Sequence, residues 1–335
     1  MLGSRKETAR MPRLMPGLMP DPMPDAPALP EGPPATSLRR ALRILADPWT
    51  MLILKEAFNG TRRFSAFQRA LNIPKQTLSL RLTALCHEQM LYRRFPAPQS
   101  GGTQAAPEYA PTAKTFDLAD AMYAIWLWHR ANPGVEDVLP FDIVHKRCGH
   151  LLEADYCCTA CGEPAQSASV TIQRSQPEQV ETEPRPRLAR RNDASFTAAS
   201  SQSGGMVAAS LVGDLPCNEI LFLLFQGPRH PLAITQELAL GAPVVRDRLD
   251  KLKALNLVRE EVQGRRLVYH LLPRAEGFFP LLLAIADWGD RWCNDGQPPP
   301  DPRIHACGAI LRGRYRCRHC QDWVGRDQLE LRFHG

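Results

Sequence analysis

Eight residues stand where they could hold metal. His145, Cys148, Cys158 and Cys161 form one series, and His305, Cys307, Cys317 and Cys320 repeat its order near the far end of the chain. In each, a His-x-x-Cys-Gly or His-x-Cys-Gly turn is followed by a CxxC knuckle. Zinc takes four tetrahedral Cys/His ligands supplied as two short knuckles, and glycine after a ligand lets backbone amides turn toward the sulfur. The reading is two structural zinc ions, one per series, with four ligands each and no open coordination position for catalysis. The competing reading is disulfides or free structural thiols. The sequence starts MLGSRKETARMPRLMPGLMP, without the continuous apolar block of a secretory signal, and its longest uncharged apolar run, Gly277–Ala286, falls short of the ~18 residues of a membrane span. A cytoplasmic location without a membrane segment follows as the expectation, and reducing compartments keep thiols free. His145 and His305 are preferred as fourth ligands because His150 and Cys157 are matched by Ala309 and Arg316 in the second series. Cys86, Cys217 and Cys293 are read as buried, inert thiols rather than a redox switch.

The two series end two copies of one longer pattern. Asp47/Asp214, Gly60/Gly227, Leu71/Leu238, Leu82/Leu249, Leu85/Leu252 and Leu91/Val258 keep one constant separation, as do Tyr109/Tyr269, Ile125/Ile285 and Trp128/Trp288 after a longer loop in the first copy. Within a copy, apolar residues recur at helical spacing in three short segments broken by Gly60 and Pro74. LYRRF with EYA, or LVREEVQ with RRLVYHL, then alternate as a two-stranded ribbon does, and a long apolar helix closes the copy. This is the order of a winged helix-turn-helix, whose third helix enters the major groove. The fold class is therefore mainly α with small β wings (α+β): two tandem winged helix-turn-helix domains, each followed by a short zinc-ribbon-like unit. The boundaries are a Pro/Met-rich disordered tail 1–35, winged helix 36–140, ribbon unit 141–175, linker 176–205, winged helix 206–298 and ribbon unit 299–335.

The chain of 335 residues carries +6 overall, and the excess is uneven. Ser37 to Gln99 holds eleven basic residues against three acids, whereas Val212 to Leu272 holds eight against seven. On a helical wheel IPKQTLSLRLTAL gathers Leu78, Leu82 and Leu85 on one face and Gln76, Ser79 and Thr83 on the other, with Thr77 in the first turn. Glutamine can pair bidentately with adenine and Ser or Thr with several base edges, while Lys75, Arg62, Arg63, Arg93 and Arg94 suit phosphates. The second copy has Arg246 beside Asp247 and Asp250, two acids that repel phosphate, with Arg265 and Arg266 at the Gly264 wing tip as weaker phosphate contacts. Arg81 and Arg248 lie at the core edge, open to a structural ion pair or a DNA contact. The closing helices are apolar around most of their circumference and must be covered on two sides. The duplicated copy can supply that cover as an intramolecular pseudo-dimer, and self-association is the other source.

LADPWTMLIL, NGTRRFSAFQRAL, IPKQTLSLRLTAL and the Tyr109 strand with Thr112, together with VYHLLPRAEGFFPLLLAIADWGDRW in the second copy, resemble the HxlR-type winged-helix regulators of bacteria. The two stretches cover about 200 of the 335 residues. The resemblance implies transcription regulation through double-stranded DNA, often as a dimer responding to a chemical or redox signal. The function expected is sequence-specific DNA binding dominated by the first copy. The alternative is a protein-interaction or redox/metal-sensing scaffold with weak or lost DNA binding. No nucleophile–base pair, phosphate loop or open metal site points to an enzyme.

Overall fold

The computed structural model describes residues 36–96, 106–132, 141–173 and 210–334. The tail 1–35 and the linker 176–205 lie outside the described residues. The first half begins with α1 (Ser37–Leu45), capped by Thr36, whose hydroxyl accepts from the Arg39 amide. Asp47 caps α2 (Pro48–Phe58) through the Thr50 amide at 2.9 Å, with proline at the first turn where no donor is lost. Next come α3 (Phe64–Leu71), a turn with Asn72 in the left-handed region at φ 47°, and α4 (Lys75–His87) directly after Pro74. Strands β1 (Leu91–Arg94) and β2 (Glu108–Pro111) pair antiparallel, followed by α5 (Ala113–Phe116) and α6 (Ala119–Ala131).

The same order recurs in the second half. It runs α7 (Leu215–Leu224), α8 (Pro231–Leu238), α9 (Ala242–Ala254), the antiparallel pair β6 (Val258–Gln263) and β7 (Arg266–Leu271), α10 (Pro273–Glu276) and α11 (Phe279–Trp292). Asp214 caps α7 as Asp47 caps α2, and Ala239 takes the left-handed turn position at φ 50° where Asn72 sits in the first half.

The halves are interlocked at three levels. First, α11 is buried along almost its whole length and packs against α1, α6 and α7, which covers the face that its all-round apolar sequence requires. Gly289 permits the closest approach, because a Cβ there would lie 2.2 Å from the Ser37 carbonyl oxygen. Second, the Trp128 indole donates to the Arg274 carbonyl at 3.1 Å, and its counterpart Trp288 donates to the Lys114 carbonyl at 2.9 Å, so each closing helix reaches into the opposite half. Third, the small strands after each closing helix do not pair within their own half. β3 (Phe141–His145) pairs with β10 (Leu329–Phe333), β4 (Ala154–Cys158) with β9 (Gly313–Cys317), and β5 (Val170–Ile172) with β8 (Arg303–His305), all antiparallel. Tyr156 and Tyr315 face each other in register at the middle of the β4–β9 pair, their rings 5.2 Å apart edge to face. The ribbon boundaries read from sequence, 141–175 and 299–335, enclose strands that each half lends to the other.

A buried polar network ties these strands to α11. The Tyr156 hydroxyl donates to Asp287 at 2.8 Å, the Gly313 amide donates to the same carboxylate at 2.9 Å, and the fully buried Arg303 bridges Asp287 and Asp290. Burying that guanidinium is tolerable only because two carboxylates meet it. Among the described residues no helix is long and apolar enough to cross a membrane.

Candidate metal centres and nucleic-acid face

The strand exchange decides which ligands meet. His145, at the end of β3, and Cys148 in the turn after it gather with Cys317, at the end of β9, and Cys320. Cys158, at the end of β4, and Cys161 gather with His305 and Cys307. Grouping by half, as the linear order suggests, is therefore corrected: each centre takes its His-Cys turn from one half and its CxxC knuckle from the other. The reason is the β4–β9 register, which sets Cys158 opposite Gly313 and Cys317 opposite Ala154 and so carries each knuckle past its own histidine.

The spacing suits a tetrahedral ion. Zn–S bonds of about 2.3 Å and a Zn–N bond of about 2.0 Å set S···S edges near ~3.8 Å and N···S edges near ~3.5 Å. In the first centre Cys148 Sγ lies 3.9 Å from Cys317 Sγ, and His145 Nδ1 lies 3.5 Å from Cys148 Sγ and 3.4 Å from Cys320 Sγ. In the second, Cys158 Sγ lies 4.0 Å from Cys307 Sγ, and His305 Nδ1 lies 3.4 Å from Cys161 Sγ and 3.3 Å from Cys307 Sγ. Sulfurs this far apart are not disulfide-bonded, since that bond is about 2.05 Å long. Both histidines turn Nδ1 inward, and their Nε2 atoms are buried without a hydrogen-bond partner among the described residues. Burial raises the Cys148 thiol, but hydrogen bonds from the His150 backbone and side chain and from His145 and Cys317 outweigh it and bring its pKa to about 6. The hydrogen bond with His305, then the Ala309 amide, brings Cys307 to about 7. Cys148 and Cys307 are thus the thiols readiest to give up a proton to a metal. At Cys161 and Cys320 backbone hydrogen bonds are outweighed by burial and the neighbouring thiols, which raise Cys161 and take Cys320 to about 11. The centres differ in access, because Cys161 and Cys307 are exposed whereas Cys148 and Cys320 are half-buried.

Four cysteines stand outside these sets, Cys157 and Cys217 buried and Cys86 and Cys293 half-buried. Burial raises the pKa of Cys86 and of Cys217, the latter strongly, and takes Cys293 to about 11. The same effect takes Cys157 to about 11, and Cys157 stands outside both Cys/His groups.

The second candidate surface is the outer face of α4. Leu78, Leu82 and Leu85 are buried against the core, Lys75, Gln76, Ser79 and Thr83 are exposed, and Thr77 is half-buried. Arg81, from the same helix, instead pairs with the capping Asp47 at 2.7 Å, and Arg248 and Lys251 meet Asp214 at 2.9 and 3.1 Å in the other half. Both arginines thus brace a helix start. Arg62 is also turned inward: its guanidinium donates to the Ala57 carbonyl at 2.6 Å and to the Thr61 carbonyl at 2.8 Å. Arg63 and Arg94 rest on Glu108 at 3.6 and 2.7 Å, and Arg93 lies over the Tyr109 ring at 5.8 Å. Exposed ion pairs of this kind are worth ~0–1 kcal/mol, so Arg63 and Arg94 can leave Glu108 for a phosphate. In the second half Arg246 is exposed beside exposed Asp247 and Asp250, and Arg265 and Arg266 are exposed where Gly264, at φ 64°, turns the wing.

Sequence reasoning missed the inward use of Arg39 and Arg40. Arg39 pairs with Glu219 of α7 at 3.0 Å, and Arg40 donates to the Cys293 carbonyl and to Asn294. Both belong to the eleven basic residues of Ser37 to Gln99, and nothing in their local pattern separates them from solvent-facing arginines.

Helix, turn, helix and two-stranded wing in the first half define a winged helix-turn-helix protein. A family model described as HxlR-like helix-turn-helix matches residues 44–135. An uncharacterized HTH-type transcriptional regulator of Mycobacterium bovis is 36% identical over 135 residues, which span 40% of this chain and 83% of the relative, and a regulator of Mycobacterium tuberculosis matches with the same figures. The chain belongs to the HxlR-like helix-turn-helix family. Among solved structures, the reduced form of the transcriptional regulator YodB from B. subtilis aligns over 27% of this chain and 92% of its own, at 22% identity and a TM-score of 0.25. A Pseudomonas aeruginosa protein described as a transcription factor, PA1374, aligns over 46% and 96%, at 24% identity and a TM-score of 0.28. Membership rests on the sequence matches.

Proposed function

We propose that this chain is a sequence-specific regulator of transcription that binds double-stranded DNA through two winged helices arranged as an intramolecular pseudo-dimer, the first making most of the contact. The observation that carries the reading is the outer face of α4, where Lys75, Gln76, Ser79 and Thr83 stand exposed over a fully buried Leu78, Leu82 and Leu85 row. Gln76, Ser79 and Thr83, with Thr77 beside them, reach base edges. Lys75, Arg63, Arg93 and Arg94 neutralise phosphates, with Arg265 and Arg266 adding weaker contacts from the second wing. The reciprocal Trp128 and Trp288 hydrogen bonds and the packing of α11 on α1 and α6 support the pseudo-dimer.

Two zinc ions complete the assembly in this reading. His145, Cys148, Cys317 and Cys320 hold one, and Cys158, Cys161, His305 and Cys307 the other. Bound zinc supplies folding energy to zinc-ribbon-like units too small to hold a core. The ligand sets support a structural role because each already fills four positions.

Titrating the zinc-loaded protein against duplex DNA from its own upstream region, and against scrambled duplex, across a salt series tests the reading. Sequence-preferring affinity falling linearly in log Kd with log salt is expected, the slope reporting the phosphates neutralised. Equal affinity for both duplexes, or none at low salt, would replace it with a protein-interaction scaffold, a role the exposed Asp247 and Asp250 would suit.

A further inference from the structure

Leu80 is 64% exposed in the middle of the outer α4 face, where its exposed neighbours are the polar Gln76, Ser79 and Thr83 and the small Ala84. It lies one helical turn after Gln76 and one before Thr83, beside Ser79, all three exposed. Single exposed leucines are ordinary on protein surfaces, but this one occupies the centre of the surface that would enter a major groove. The base edges there offer hydrogen-bond donors and acceptors and one apolar group, the C5-methyl of thymine. At the equivalent place in the other half stands the exposed Asp247, which has nothing to offer a methyl group and is repelled by phosphate. The aliphatic side chain is thus confined to the helix whose surroundings suit DNA.

We infer that Leu80 is a specificity-determining residue that covers a thymine methyl, so that the recognised site holds a thymine near the base pair read by Gln76. This rests on the DNA-binding reading above. Burying one methyl-sized group is worth about a fourfold change in affinity. Hydrogen bonds from Gln76 and Ser79 are insensitive to that methyl, and a methyl contact made instead by Thr83 or Ala84 would persist in Leu80→Ala, which makes the contribution separable.

The test uses the full-length, zinc-loaded protein. Preferred duplexes are selected from a random library, and each thymine of the selected site is replaced in turn by deoxyuridine, which removes only the methyl. We expect one position where the replacement weakens wild type about fourfold and leaves Leu80→Ala unaffected, while Leu80→Ala binds the thymine site about as weakly as wild type binds the uracil site. Thermal unfolding of Leu80→Ala should match wild type, since the side chain is outside the core. A selected site at which no uracil matters, or at which Leu80→Ala loses as much as wild type, would overturn the inference and leave DNA binding standing. A selection that returns no preferred sequence would instead remove the DNA reading, and this inference with it.

Discussion

If the two metal centres are shared between the halves, paired substitutions will count zinc in a pattern that grouping within each half cannot produce. Cys148 and Cys317 lie 3.9 Å apart in one centre although 169 positions separate them in sequence, and Cys161 belongs to the other centre. Cys148→Ser with Cys317→Ser therefore damages one centre and leaves one zinc per chain. Cys148→Ser with Cys161→Ser damages both and leaves none. The chain-entropy relation for a cross-link gives about 5 kcal/mol for a loop of this length, against about 3 for one closed within a half from Cys148 to Cys161. Either ion alone closes the long loop, so losing the second centre should cost more stability than losing the first. The assay is native mass spectrometry after dialysis against a weak chelator, with thermal unfolding alongside. One zinc in the Cys148/Cys161 variant and none in the Cys148/Cys317 variant would refute the shared arrangement.

Gly313→Ala should lower stability by about 1–3 kcal/mol through overpacking, because a Cβ there would lie 2.0 Å from the Tyr156 ring; an unchanged unfolding midpoint would argue against the β4–β9 pairing. Charge reversal should act unequally, Lys75→Glu weakening DNA binding and flattening its salt slope by about one phosphate, with Arg246→Glu changing little; equal losses would sink the dominance of the first copy. Burial first, with Asp117 and Asp287 adding and Arg291 and Arg314 opposing, raises the Asp120 carboxyl to about 6 from 3.8. The folded state therefore holds this proton more tightly than the unfolded state, and the associated stability, present below about pH 4, is lost as pH rises through about 6. Asp120→Asn should remove that pH-dependent difference and be more stable than wild type at pH 7.5, by up to ~3 kcal/mol. Urea unfolding of both proteins at pH 5 and 7.5 checks it, and parallel curves would exclude Asp120 as the source.

Much of this protein is legible in its sequence because the controlling interactions are local. The three-helix order follows from 3.6-residue apolar spacing, and the starts of α2 and α4 follow from Asp47, Pro48 and Pro74, whose effects act within a turn. The ligand types follow from short Cys/His spacing, and the repeat follows from subtraction. Those features gave the winged helix, the polar face of α4 and the eight candidate ligands. The sharing of the ligands was not legible. Two equivalent copies present two equivalent knuckles to each histidine, and pairing within a half or across halves satisfies the same local pattern. The same is true of charge: Arg39 and Arg40 look like solvent-facing cations in sequence, yet each meets a carboxylate or carbonyl brought to it by the fold, and Arg81, open in sequence to an ion pair or a DNA contact, takes the ion pair with Asp47. By itself the sequence determined which elements form and which residues are candidates to bind. Tertiary structure alone decided which half each partner comes from, because the contacts that choose between equivalent copies, the Tyr156–Tyr315 register, the Gly289–Ser37 approach and the Tyr156–Asp287 hydrogen bond, join residues far apart in the chain.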